Sequence, residues 1–249
     1  MDLHLQDRVA IVTGASRGLG EAIVRAFAAE GMQVVAAARG RAQLDRLAGD
    51  FPGSVRPAVC DVSQADDVAG LVDVALATFG ALDVVVNNAG IAPASPFTDM
   101  SGEQWEHVLA VNLLAPVALA RAAGPVLLEQ ERGKVINVAS TSGLRGKPTL
   151  AAYSASKGAL LRFTEALAGE WASRHVQVNA IAPGAFATDA QRAVLETPDV
   201  LARRLRKIPA GRMGSVEEIG ALACFLASSC SDFVTGATYV IDGGEAAKL

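Results

Sequence analysis

The sequence predicts an α/β protein: a doubly wound, parallel, seven-stranded sheet flanked by helices on both faces, forming a single domain over residues 1–249. Three observations predict it. Seven short β-branched runs alternate with longer Ala- and Leu-rich stretches of helical pattern. The runs are almost continuously apolar, as in strands covered on both faces. The chain is 51% hydrophobic and 19% charged, enough apolar material for a sizeable core and too much for a disordered chain.

Taken in order, the strand runs are 8–13, 33–38, 55–60, 83–87, 134–139, 176–182 and 238–241. Helical patterns lie between them near 19–30, 41–49, 65–79, 101–130, 152–173 and 215–227. Ser101-x-x-Gln104 and Ser215-x-x-Glu218 read as capping boxes, which satisfy orphaned amides at a helix entry. Right-handed crossovers place every strand's carboxyl end along one edge of the sheet, where ligands bind. Residues 185–214 break the rhythm with Pro198, Pro209, Gly211 and Gly214 around a basic helical patch, and read as a substrate-side lid.

Composition excludes several function classes. The formal charge is −4 with no basic stripe, so nucleic acid is not an expected partner. The longest charge-free stretch, 84–98, contains Asn87, Asn88, Gly90, Pro93 and Pro96, and no membrane span is expected. The N-terminus MDLHLQDR has no apolar signal core. Cys60, Cys224 and Cys230 are odd in number and lack C-x-x-C spacing, so a reduced, cytoplasmic protein with buried thiols is expected. His4, His107 and His175 are scattered, and no metal site is expected.

The first strand runs straight into Thr13-Gly14-Ala15-Ser16-Arg17-Gly18-Leu19-Gly20 and then a helix. Glycines let the backbone approach a pyrophosphate, and the helix start offers free N–H groups and positive dipole to it. No Gly-Lys-Ser/Thr ends the loop, so it is not a nucleoside-triphosphate loop. About 20 residues on, NAD-preferring enzymes carry an acid for the ribose 2′-hydroxyl. Here Ala38 and Arg39 stand at that place, with Arg41 and Arg17 close by. Guanidinium groups bind a 2′-phosphate that a carboxylate repels, so NADP(H) is favoured over NAD(H). Arg39 and Arg41 as plain solvated charges is the competing reading.

Tyrosine occurs twice in the chain, yet Tyr153 stands four residues before Lys157 in a helical stretch, so the two share a face. A free phenol titrates near 10, and an adjacent ammonium lowers it, which would make Tyr153 an acid/base group. A helix-surface Tyr–Lys contact would explain the pair if it stood alone.

It does not stand alone. With TGASRGLG at 13–20, Asp61 after the third strand, NNAG at 87–90, Asn112 in VNLL, Ser140 in NVASTSG, YSASK at 153–157, PGAFAT at 183–188 and the closing RMGSVEEIGALACFLAS and VTGATYVIDGG segments, the chain resembles the short-chain dehydrogenase/reductase family over essentially its whole length. The resemblance implies a Rossmann fold and a catalytic set of Ser140, Tyr153 and Lys157 with Asn112. In that set Tyr153 trades a proton with the substrate oxygen, Ser140 fixes that oxygen, Lys157 binds the nicotinamide ribose and lowers the Tyr153 pKa, and Asn112 holds a proton-relay water. For the cofactor it implies Gly14, Ser16, Arg17, Gly18, Leu19, Gly20, Arg39, Asp61, Val62, Asn88, Ala89, Gly90, Tyr153, Lys157, Pro183, Gly184 and Thr188. Ile181, Pro183, Gly184 and Thr188 would line the nicotinamide, with Thr188 on its carboxamide.

The implied activity is hydride transfer between NADP(H) and a carbonyl or secondary alcohol of a small or medium organic molecule. Members reducing 3-oxoacyl thioesters and gluconate-type sugar-acid dehydrogenases look most similar. A catalytically idle cofactor-binding regulator or scaffold on the same fold is the alternative, and dehydratase or epimerase chemistry usually needs a longer substrate domain. Ala139 stands where many relatives carry a second serine. Arg145 and Lys147 are placed to meet an acidic substrate, or are solvated loop charges. A homotetramer or homodimer is implied, with contacts through the helix around Tyr153–Trp171 and the segment 233–249.

Overall fold

The structure is a computed structural model that describes residues 2–247; Lys248 and Leu249, the end of the expected contact segment, lie outside the described residues. Its elements in chain order are β1 (Val9–Thr13), α1 (Gly18–Ala29), β2 (Gln33–Ala38), α2 (Arg41–Asp50), β3 (Val55–Val59), α3 (Ala65–Phe79), β4 (Val84–Asn87), α4 (Gly102–Leu109) and α5 (Ala115–Glu129). There follow β5 (Gly133–Val138), α6 (Thr141–Leu144), α7 (Ala151–Trp171), β6 (Val176–Pro183), α8 (Arg192–Leu195), α9 (Pro198–Leu205), α10 (Val216–Ala227) and β7 (Thr238–Ile241). The strands form one seven-stranded sheet in the order β3-β2-β1-β4-β5-β6-β7, every neighbouring pair parallel. Chain order reverses between β1 and β4, which is where doubly wound sheets bind ligands.

Both sheet faces are covered, and the strand sequences show how. In β1, Ala10 and Val12 enter one apolar cluster with Ile23 and Phe27 of α1 and Ile219 and Ala223 of α10. Val9 and Ile11 enter the other, with Leu71 of α3, Leu119 of α5 and Trp171 of α7. Because successive side chains point to opposite faces, a strand buried on both sides must be apolar throughout. The edge strand β3 departs from this, with exposed Arg56 and Val59 and with Pro57, whose missing N–H suits an unpaired edge.

Both expected capping boxes form: Ser101 and Gln104 bond each other's backbone N–H at 3.1 and 3.0 Å, and the Glu218 carboxylate accepts the Ser215 amide at 2.8 Å. Gly102–Glu129 is one continuous helical stretch, the single described helix long and apolar enough to cross a membrane by length and composition. Half of its most apolar window is buried inside the protein, which accounts for that apolarity. Between α4 and α5 the stretch loosens into a π turn at Ala110–Leu114, centred on Asn112.

The expected lid folds into a short 3₁₀ turn, α8 and α9, closed at its base by parallel bridging of Phe186 to Gly214. Arg204 of α9 grips Glu245 with both terminal guanidinium nitrogens, at 2.5 and 2.7 Å, tying this segment to the C-terminal turn. One expectation about the thiols is corrected. Cys60 and Cys224 are buried, but Cys230 is exposed, because it lies in the 3₁₀ turn Ser229–Ser231 just past α10 and outside the apolar face of that helix.

Candidate active site

The β1–α1 turn is packed so tightly that glycine is required. A Cβ on Gly20 would stand 2.3 Å from the Gly14 carbonyl oxygen and 2.4 Å from Asn88 Nδ2. Gly14 and Gly18 take φ of +65° and +60°, where a side chain is strained. No side chain caps α1, so its first amides face outward beside exposed Arg17. Thr188, at the start of the lid, brings its methyl within 3.7 Å of the place a Cβ on Gly18 would occupy. The turn is clasped from β4: Asn88 Nδ2 donates to the carbonyls of Thr13 and Gly14 at 2.9 and 3.2 Å. The backbone amides of Asn88 and Ala89 donate to the Thr13 hydroxyl at 3.0 and 3.2 Å. Asn88 is therefore occupied in shaping the loop.

Arg39 follows β2 and is exposed, and among the described residues neither it nor Arg17 forms a salt bridge. Arg41 is different. It binds Asp45, one helical turn on, at 2.8 Å, so the solvated-charge reading fits Arg41 and leaves Arg39 and Arg17 free to meet an anion. Asp61 caps the end of β3. Its carboxyl is held below the usual range mainly by the amide and hydroxyl of Ser63, with the Arg39 guanidinium adding to this, and the next residue, Val62, packs against the apolar cluster of that sheet face. Pro183 ends β6, and Gly184 is pressed against Asp242, whose Cβ is 2.5 Å from where one on Gly184 would be.

At the same sheet edge Ser140 follows β5 and Tyr153 and Lys157 come from α7. α6, just after Ser140, lies directly on α7: a Cβ on Gly143 would meet the Lys157 carbonyl carbon at 2.7 Å, so only glycine permits the approach. The Ser140 side chain makes a polar contact with the Tyr153 phenol and accepts the Ser142 amide at 3.0 Å. Lys157 is 3% exposed, and its Nζ donates to the Val138 carbonyl at 2.7 Å. The Lys157 Nζ and Asn112 Oδ1 flank Gly90, 3.5 and 3.4 Å from a Cβ placed there. All four expected catalytic residues thus converge between β4, β5 and α7.

The titration expectation is corrected. Burial pushes the Tyr153 phenol above its usual value, against the lowering contact with Ser140. The Lys157 ammonium lies 6.0 Å from the ring centroid and is itself pushed down to about 8 by burial. In the free protein both groups are poorly solvated, and desolvation disfavours each charged form, at Tyr153 by more than the Ser140 contact favours it. Asn112 also behaves differently from a helix residue bonding locally. Its Oδ1 accepts the Ile91 amide at 2.9 Å, while its Nδ2 donates to the Ile91 carbonyl at 2.9 Å and to Ser156 Oγ at 3.1 Å. The π turn supplies the rotation that lets one buried side chain reach both the loop after β4 and helix α7.

Comparison with known proteins agrees with this geometry. The sequence profile described as enoyl-(acyl carrier protein) reductase matches residues 14–245. The 3-oxoacyl-acyl-carrier-protein reductase of Thermotoga maritima is 36% identical over 97% of this chain and 99% of its own. The 3beta-hydroxysteroid dehydrogenase 1 of Eggerthella lenta is 40% identical over 96% of this chain and 94% of its own. A solved structure from Beutenbergia cavernae, assigned as an NAD(P)-dependent gluconate 5-dehydrogenase and carrying NADP at low occupancy, superposes with a TM-score of 0.92 at 37% identity over the whole of both chains. This chain belongs to the short-chain dehydrogenase/reductase family.

As a member of the short-chain dehydrogenase/reductase family it is an oxidoreductase that uses a nicotinamide cofactor on a small-molecule substrate. The residues present suit that cofactor: a turn with no room for side chains, helix amides with no side-chain cap, and two exposed guanidiniums that form no salt bridge among the described residues. The sequence missed Gly143, whose place in the TSG triplet after Ser140 was the available signal. It also missed Ser156, which links Asn112 to the Tyr153 carbonyl through a 2.7 Å bond. A shallow apolar cavity of about 230 Å³, lined by Phe97, Met100, Ser101, Gly102 and Trp105, opens beside α4 and does not include Tyr153.

Proposed function

We propose that this short-chain dehydrogenase/reductase reduces a carbonyl, or oxidises the matching secondary alcohol, of a small or medium organic molecule with NADP(H), using Tyr153 as acid/base. The observation that carries the reading is the convergence of Ser140, Tyr153, Lys157 and Asn112 beside Gly90. In reduction Tyr153 passes its proton to the substrate oxygen, and the raised phenol pKa keeps that proton in place at neutral pH. Ser140 holds the same oxygen as charge develops on it. Lys157, steadied on the Val138 carbonyl, would bind the ribose hydroxyls with its remaining N–H groups. Asn112 fixes the loop after β4 against α7. The bound cofactor supplies or accepts the hydride.

Gly14, Ser16, Gly18, Leu19 and Gly20 would cradle the pyrophosphate, with Asp61, Val62, Asn88, Ala89 and Gly90 on the adenosine side and Pro183, Gly184 and Thr188 at the nicotinamide. Arg39 and Arg17 support NADP(H) over NAD(H), since both are exposed and neither forms a salt bridge among the described residues. Arg145 and Lys147 likewise form no salt bridge among the described residues, which favours an acidic substrate. Residues 185–214 act as the lid. Phe233, fully exposed at 103%, and the half-exposed Val240 support self-association into a tetramer or dimer through the C-terminal segment.

The test is a panel of keto acids, sugar acids, acyl thioesters and neutral ketones, followed by absorbance of the reduced cofactor. Tyr153→Phe should lower turnover about 10²- to 10⁴-fold while cofactor affinity holds. Arg39→Asp should weaken NADPH binding and raise relative activity with NADH. Unchanged turnover in Tyr153→Phe would sink the reading.

A further inference from the structure

Tyr153 and Lys157 ride on α7, whereas Ser140 hangs from the end of β5, so their contact depends on how the helix is seated on the strand. Near the site the apolar contacts are few, with Ala139, Leu160, Leu161 and Ala180 in a small cluster; farther along α7, Ala168 and Trp171 share a larger cluster with Val135 of β5, and aliphatic burial has no direction. The directional element is a chain of polar groups beneath it. Asn87 Nδ2 donates to Asn137 Oδ1 at 2.8 Å, and Asn137 Nδ2 donates to Thr164 Oγ1 at 2.9 Å. The Thr164 hydroxyl in turn donates to the Leu160 carbonyl at 2.8 Å. Asn87 is 3% exposed, and Asn137 and Thr164 are 0% exposed.

The placement of the chain matters more than its burial. Asn87 and Asn137 are register partners on β4 and β5. Thr164 lies two helical turns beyond Lys157 on the same face of α7. Lys157 Nζ takes the carbonyl of Val138, the residue next to Asn137. Strand β5 therefore holds α7 at two adjacent residues, and Ser140 follows immediately. Stability does not demand this arrangement, because replacing both partners of a buried hydrogen bond by apolar groups of the same shape is nearly neutral. Directional bonds do single out one axial position of the helix, which apolar packing does not.

We propose that the Asn87–Asn137–Thr164 chain is a positioning device for the catalytic pair, fixing the axial seat of α7 on β5 and so setting the contact between Tyr153 and Ser140. The proposal rests on the reading of Tyr153 as the acid/base group. Asn137 and Thr164 touch no reacting atom; they act through the helix.

Thr164→Val tests it, since valine keeps the shape and removes the hydroxyl. The chain has two tyrosines, so in a Tyr239→Phe background ¹³Cζ-labelled tyrosine gives a single NMR resonance, that of Tyr153. In Thr164→Val that resonance should move at neutral pH, kcat should fall about tenfold, and cofactor KM should stay within twofold; Thr164→Ser should restore all three. A resonance and kcat that stay at the parent values, even with a lowered melting point, would overturn the proposal and leave a merely structural role. If Thr164→Val does not fold, Thr164→Cys, which keeps the volume and only a weak donor, should give intermediate values, and parent values there overturn it equally. Because the resonance is read on the free protein, it reports on the seat of α7 independently of whether Tyr153 turns a substrate over.

Discussion

Consider Lys157→Met in the cofactor-free protein. Lys157 has its ammonium on the Val138 carbonyl at 3% exposure, and burial lowers its pKa from 10.5 to about 8. The unfolded chain therefore binds more protons than the folded one between about pH 8 and 10.5, and stability rises with pH across that window. At about 1.4 kcal/mol per unit, the difference between 10.5 and 8 is worth about 3 kcal/mol, fully present as a penalty below pH 8 and relieved above 10.5. Methionine carries no charge and should not show the rise. At pH 7 the variant should be more stable than the parent, by that penalty less about 1 kcal/mol for the lost hydrogen bond to Val138. Urea unfolding of both proteins at pH 7 and pH 10 gives the two differences, and all other titrations are shared and cancel. Parallel changes in the two proteins would refute the argument, since they would mean that Lys157 is as well solvated folded as unfolded. The gain would come with loss of activity, as expected where a site keeps a destabilising group for function.

Two other outcomes are expected. Removing the lid clasp with Arg204→Gln leaves the Glu245 carboxylate partly buried without its fork, so thermal unfolding should drop by a few degrees and substrate KM should rise more than cofactor KM; equal effects on both KM values would show that the lid does not depend on this tie. Iodoacetamide should label Cys230 quickly in the native protein while Cys60 and Cys224, buried and pushed up to about 11 and about 12, react only on unfolding, as read by peptide mass spectrometry.

The sheet was legible because strands buried on both faces leave an uninterrupted apolar record, and most of their ends fall within a residue of the run in the sequence. β1 starts at Val9 and not at Arg8 because the Arg8 amide closes a turn onto the Leu5 carbonyl at 3.1 Å, just after Asp7 takes φ of +62°. The glycine turn, Arg39 and the Tyr153–Lys157 pair were also legible, since each is a local pattern. Arg41 could have been set aside on the same grounds, with Asp45 one turn away. What stayed hidden depends on residues far apart in the chain. AVNLL at 110–114 reads as ordinary helix, and nothing local marks its π turn. Asn137 and Thr164 are separated by 27 residues and meet only once β5 and α7 pack. The direction of the Tyr153 shift stayed hidden for the same reason: the sequence shows the neighbouring ammonium, while the burial that raises the phenol comes from the rest of the fold.

The distribution of paired and unpaired cations separates the two edges of the sheet. At the strands' amino ends, Arg8 and Arg132 share Asp83, and Lys134 binds Asp232 at 2.6 Å. Asp83 also accepts the Val9 amide at 2.9 Å, so the charge buried at that edge is compensated within the chain. At the carboxyl ends, Arg17, Arg39, Arg145 and Lys147 form no salt bridge among the described residues, Arg39 acting on Asp61 only through space, and the Lys157 ammonium donates to a carbonyl. Leaving a cation as buried as Lys157 without a carboxylate is unfavourable, whereas an Asp or Glu beside it would relieve the penalty. A carboxylate there would also compete with any phosphate, ribose or oxyanion brought to the same edge. The scarcity of ion pairs among these cations suits an edge that receives an anionic ligand, and it falls on the side of the sheet where the glycine turn, Ser140 and Tyr153 already converge.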